Sequence, residues 1–304
     1  MKAKHLSGRM MATLTAMLLV CLLSGGVAAV DNAMAGDKPT ITIGWTAWVE
    51  NEAAKEVARQ ILEKELNYNV ELKLSDMGVI SEGLKSGSID VFLELCLPYT
   101  HKDYWDRIGG EVVAAGMFYD QLVQGWAVPN YVPKGELNSI LDMQKPDVKT
   151  KLEGKIIGIE AGSGLMRQSK TALDSYQLSD YELVTSSEPA MVASLDKAIK
   201  KKEWVVVTLW KPHFAWAQWD LRMLSDPDQV IGQFNSCHIV VHKDLMNRCP
   251  DAYGFFARFY WGIPLIGEML YDMGIENMSA EEAAAKFIKE HPDRVRYWAT
   301  GKMD

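Results

Sequence analysis

Positive charge is in short supply in this chain: 32 Lys and Arg stand against 40 Asp and Glu, a formal net charge of −8. That balance leaves no electrostatic footprint for phosphate polymers or an anionic membrane surface, so nucleic acid is excluded as a partner. Cysteine is scarce too, with four in 304 residues. The glycine-rich segments lack the Lys of a P-loop and the spacing of a dinucleotide fingerprint, so no cofactor or metal is expected. Long apolar runs are missing beyond the N-terminus. The most apolar later stretch, Phe255 to Ile266, is interrupted by Arg258, Gly262 and Pro264, well short of the ~20 residues a bilayer needs. It reads as core helix. What remains is a chain that is 48% apolar, long enough for about two domains.

The first 35 residues read as a secretory signal peptide rather than as part of the fold. Lys2, Lys4 and Arg9 form a basic region, Met10 to Leu23 is uncharged and largely apolar, and Ala33-Met34-Ala35 is an A-x-A cleavage site. Val27-Ala28-Ala29 offers a second site. Cys21 would suggest a lipoprotein, but Val20 occupies the position before it, where a small residue is wanted. The expected location is the periplasm. Export leaves Cys96, Cys237 and Cys249 in an oxidising compartment, and Cys237 with Cys249 is the expected bridge, against the alternative of three buried thiols.

From Pro39 onward β and helical periods alternate. Ile41 to Trp45, Asn69 to Leu74 and Val91 to Leu95 read as strands, with helical segments between them, which predicts parallel pairing. The same order returns in strands Lys155 to Glu160, Tyr181 to Thr185 and Trp204 to Trp210. At one constant offset Trp48 falls on Gly162, Cys96 on Trp210 and Pro98 on Pro212, which implies duplication of an α/β lobe. Two extended runs, Leu122 to Pro129 and His238 to His242, cross between the halves, and the chain beyond Asp244 is helical. The expected fold is α/β, two similar lobes joined by a two-stranded hinge: lobe I from 36–125 plus 240–304, lobe II from 126–239. Ligands in such folds bind beyond the carboxyl ends of the strands. Trp48, Cys96 to His101, Gly162 to Leu165 and Trp210 to His213 all sit there.

Trp48 and Trp210 end comparable strands in opposite halves and suit the two faces of a cation, each indole contributing ~0.5–2 kcal/mol. Gly162-Ser163-Gly164 opens a helix, where free N–H groups favour an anion such as a carboxylate. His101 adds a side-chain donor. Cys96 and His101, five residues apart, also suggest a thiol hydrolase, but neither an oxyanion arrangement nor a third orienting partner accompanies them.

Gly-Trp-Thr-Ala-Trp-Val-Glu-Asn (44–51), Leu-Cys-Leu-Pro-Tyr-Thr-His (95–101), Gly-Ser-Gly-Leu-Met (162–166), Ser-Ser-Glu-Pro-Ala-Met (186–191) and Leu-Trp-Lys-Pro-His-Phe (209–214) together resemble the glycine-betaine-binding proteins of ABC transporters. The resemblance implies a type II periplasmic binding protein, a monomer that captures a quaternary-ammonium zwitterion and hands it to an inner-membrane ABC permease. It implies Trp48 and Trp210 as walls of an aromatic box, the Gly164 and Leu165 amides and the His101 side chain as carboxylate donors, and no catalytic step. The third wall, a Trp in the family pattern, is Cys96 here. Trp45, Tyr99, Tyr119 and Trp216 are the aromatics available to replace it, with Tyr99 and Tyr119 expected at the site and Tyr119 preferred. Choline, carnitine and dimethylsulfoniopropionate rival glycine betaine as the ligand, and a sensor without a transport role is the alternative function.

Overall fold

A computed structural model describes residues 38–232 and 234–303; the signal-peptide reading lies outside these residues. The sheet is built from two copies of one motif. In the first, β1 (Ile41–Trp45) pairs in parallel with β2 (Val70–Leu74) and β3 (Val91–Leu97), with α1 (Val49–Lys64) and α2 (Met77–Ser86) as crossovers. In the second, β5 (Lys155–Ile157) pairs in parallel with β6 (Glu182–Val184) and β7 (Val207–Lys211), with α5 (Gly164–Ser175) and α6 (Glu188–Lys201) between them. α3 (Lys102–Ile108) follows β3, and α4 (Pro146–Lys151) precedes β5. The expected parallel pairing and the repeat are both seen. Pro98 and Pro212, matched by the repeat, each follow a cis peptide bond.

Two antiparallel strands join the motifs, giving the order β2-β1-β3-β9-β4-β7-β5-β6, with β8 (Leu221–Met223) paired to β4 off this path. β4 (Val112–Pro129) is much longer than the run from Leu122 that the alternation reveals. Its first part pairs with β9 (Asn235–His242) and its last residues with β7 and β8. The early part was hidden by weak strand formers, Ala114-Ala115-Gly116, and by bulges that shift the register after Ala114, Met117 and Tyr119. Gly116 is required there: a Cβ would meet the Phe256 carbonyl oxygen at 2.7 Å.

The C-terminal helices follow the sequence pattern. After α7 (Ala215–Gln218) and α8 (Leu245–Arg248) come α9 (Pro250–Arg258), α10 (Gly262–Gly274), α11 (Ala280–Glu290) and α12 (Pro292–Thr300). α11 begins with the expected capping box, in which the Ser279 side chain accepts from Glu282 N–H and the Glu282 carboxylate accepts from Ser279 N–H. These helices pack on α1 and β4 around Phe259, Trp261, Phe287 and Trp298.

The cysteine pairing differs from the expectation. Cys237 is bonded to Cys96, not to Cys249, which is a buried free thiol. The reason is register: Cys96 on β3 lies directly opposite Cys237 on β9. Cys249 is near Cys237 in sequence only, because β9 carries the chain on for roughly 16 Å before it turns into α8.

Candidate functional site

Where the two motifs meet, the ends of β3, β5 and β7 and the starts of α1 and α5 line a cavity. Six of the eight residues expected at the site line it: Trp48, Cys96, His101, Gly164, Leu165 and Trp210. Tyr99 and Tyr119 do not. Tyr99 is half exposed in the turn after β3, while Tyr119 is fully buried behind the wall, its hydroxyl donating to Glu94 Oε1 at 2.8 Å. Neither Trp45 nor Trp216 takes the vacant place: Trp45 lies under the Lys55 ammonium, and Trp216 donates from Nε1 to the Trp210 carbonyl. The position of the third indole is held by the Cys96–Cys237 disulfide. The same bond removes the thiol that a hydrolase reading of Cys96 and His101 requires. It also occupies the two sulfurs that lie near the Glu94 carboxylate, leaving no thiolate pair for a metal there.

The anion end is built from backbone and imidazole. Ser163 caps α5, its hydroxyl accepting from Met166 N–H at 3.2 Å; the amides of Gly164 and Leu165, first in the helix, have no intrahelical acceptor. His101 Nδ1 accepts from Cys96 N–H at 2.8 Å, which assigns the ring proton to Nε2. That nitrogen is buried without a partner. Burial, with the Arg167 charge assisting, pulls the His101 pKa down to about 3, so the ring is neutral in physiological conditions and acts as a donor through Nε2.

The indole walls are held firmly. Trp48 stacks on His101, ring centroids 5.8 Å apart and planes 6° from parallel, and donates from Nε1 to Glu160 Oε1 at 2.8 Å. Trp210 stands edge-on to His213, whose Nε2 contacts Glu188, and Glu188 in turn accepts from Val49 N–H at the start of α1. Arg167 ties the two strand-end loops together, donating to the carbonyls of Gly162 and Thr100. Gly164 makes this approach possible: a Cβ there would sit 2.2 Å from the Thr100 carbonyl oxygen.

Sequence reasoning missed an acidic wall. Glu50, in the first turn of α1, and Glu94, two residues before Cys96 on the same face of β3, both line the cavity, as do Thr100, Gln124 and Ser163. Burial, reinforced by Glu94 and Glu188, raises the Glu50 pKa well above the carboxylate range. Burial likewise lifts Glu94 to about 7 and Glu160 to about 7.

The family model for the substrate binding domain of ABC-type glycine betaine transport systems matches residues 39–290. The glycine betaine/carnitine transport binding protein of Listeria monocytogenes is 37% identical over 159 residues, which are 52% of this chain and 53% of that protein, so the match spans about half of that relative's length. The crystal structure of a glycine/betaine/L-proline-binding protein from Borrelia burgdorferi is similar at a TM-score of 0.80 and 35% identity, covering 86% of this chain and 96% of that one. A lactococcal protein crystallised closed on glycine betaine is similar at 0.78 and 30%, covering 86% and 100%. The α/β fold is thus that of the type II periplasmic binding proteins. With a cavity at the strand ends and a sequence matched across nearly all the described residues, this chain belongs to the substrate-binding domains of ABC-type glycine betaine transport systems, which bind ligands and are not enzymes.

Proposed function

We propose that this protein captures a methylated-ammonium zwitterion, glycine betaine or a close relative, between two lobes and delivers it to an inner-membrane ABC permease. The observation that carries the reading is a two-ended cavity. Trp48 and Trp210 supply π-faces for a cation, while His101 Nε2–H and the first amides of α5 supply donors for a carboxylate. Choline, which lacks the carboxylate, would leave those buried donors unmatched at a cost of about 1–3 kcal/mol.

The lobes are residues 36–125 with 240–304, and 126–239, with β4 and β9 as the hinge. In support, each β-α-β motif flanks one of these two strands. Ligand favours the closed form because only there do both lobes contact it. The protein acts as a periplasmic monomer without nucleic acid; no helix among the described residues is long and apolar enough to cross a membrane. Calorimetric titration with glycine betaine, carnitine, choline and dimethylsulfoniopropionate tests the reading. Tight binding of a zwitterion with weak binding of choline is expected, and choline binding as tightly as the zwitterions overturns it.

A further inference from the structure

A fully methylated ammonium has no hydrogen-bond donor, and an aromatic box suits it because π-faces ask for none. This cavity is different. One indole position holds a disulfide, and beside it stand two carboxyls. Glu50 and Glu94 are each 2% exposed, and Glu50 Oε2 and Glu94 Oε2 are buried acceptors with no hydrogen-bond partner. Glu94 is held from behind by Tyr119, whose hydroxyl donates to Oε1, so its second oxygen is the one left unmatched. Sealing a quaternary ammonium against these oxygens would leave the ionised oxygen of the pair without a donor from the ligand, which is costly. An ammonium that retains an N–H would instead donate a charge-assisted hydrogen bond to them.

We propose that the Glu50–Glu94 pair takes the place of the missing third aromatic wall and selects a partially methylated ammonium zwitterion, one that keeps an N–H, over its fully methylated counterpart. The inference rests on the two-ended reading of the cavity and deepens it. Charge fits as well as hydrogen bonding. Burial, with the Glu94 and Glu188 charges, keeps Glu50 protonated, and burial lifts Glu94 to about 7, so near neutrality the pair carries at most one negative charge for a single ammonium. A quaternary ligand would gain the Coulombic part of this interaction but not the hydrogen bond. The tertiary ammonium gains both, and it needs less width because a proton replaces a methyl.

N,N-dimethylglycine, glycine betaine and carnitine, titrated calorimetrically into the purified protein at neutral pH, separate the possibilities. Dimethylglycine is expected to bind at least tenfold more tightly than glycine betaine. Glu94→Gln, which keeps the shape and the oxygen that receives Tyr119 but removes the charge, is expected to bring that ratio near one by weakening dimethylglycine more than glycine betaine, which loses only the Coulombic part; Glu50→Gln gives the same readout should the first variant fail to fold. A ratio unchanged in both variants, or glycine betaine binding as tightly as dimethylglycine in the wild type, overturns the inference and leaves the two-ended reading standing. Tight carnitine with weak dimethylglycine moves the donor to a hydroxyl and also overturns it. Binding of none of the three overturns the two-ended reading and the inference with it.

Discussion

Reducing the Cys96–Cys237 bond, or replacing both residues with Ser, should lower stability by an amount that the topology sets. The bond closes a loop spanning 141 residues of sequence. Closing a loop of that length removes about 5 kcal/mol of chain entropy from the unfolded state at 25 °C. For a domain of this size each kcal/mol shifts the melting temperature by roughly 2–4 °C, so the full effect is a fall of roughly 10–20 °C. Differential scanning fluorimetry with and without a phosphine reductant measures it directly. Cys249→Ser is the control, because that buried thiol lies outside the bond and its replacement should leave the difference between oxidised and reduced protein intact. Thiol titration of the denatured protein from residue 36 onward should find one free thiol before reduction and three after. Three thiols before reduction, a non-reducing peptide map that joins Cys249 to another cysteine, or a melting curve indifferent to reductant would refute the pairing and the stability argument together.

Four further outcomes follow from the cavity. Trp48→Ala and Trp210→Ala should each weaken a methylated-ammonium zwitterion by tenfold or more, the loss of one cation–π face together with the reopened cavity, while circular dichroism stays native. His101→Ala should weaken carboxylate-bearing ligands by about 1–3 kcal/mol more than it weakens choline in parallel titrations, because the lost Nε2–H serves a carboxylate alone, whereas the lost stacking on Trp48 and the lost acceptor for Cys96 N–H bear on every ligand. Gly164→Ala should abolish most affinity, since the added methyl would meet the Thr100 carbonyl oxygen and hold the strand-end loops apart; small-angle scattering should show a variant that stays open when ligand is added. Glu160 keeps its proton up to about pH 7 in the folded state, against 4.5 for a free glutamate side chain, so it contributes stability below 4.5 that is lost as pH rises through 7. Glu160→Gln should remove up to about 3 kcal/mol of that decline, read as a flatter melting temperature between pH 4.5 and 8.

The parts of this molecule that were legible in its sequence are those governed by local rules. β1, β2 and β3 with α1 and α2 announce themselves by their periods, and the repeat places Trp210 at the strand end equivalent to Cys96. Ser279 and Glu282 mark the start of α11 through their spacing alone. The Gly162-Ser163-Gly164 turn and His101 were found because strand ends and helix starts can be located without tertiary contacts. Most of β4 was not legible: its first residues are held by pairing with β9 rather than by their own propensity, and bulges break the alternation by which a strand is recognised.

The two features that give this cavity its individual character depend on longer-range information. Cys96 could be seen to have lost an indole, but its partner was set by the β3–β9 register, an antiparallel alignment between segments 141 residues apart. Proximity in sequence favoured Cys249 for a reason that has no force once a strand intervenes. No aromatic fills the gap, for a similar reason. Tyr119 does lie at this wall, but on the side away from the cavity, because the bulges around it turn its ring inward to meet Glu94. Glu94 itself was within reach of a sequence argument. A strand alternates faces, so whatever Cys96 lines, Glu94 lines two residues earlier, and an acid beside a cation site outweighs in electrostatic effect the aromatic whose absence drew attention to the place. A substitution that shrinks one wall of a binding site is therefore best followed along its own strand to the neighbours it uncovers, before a distant residue is invoked to fill the gap.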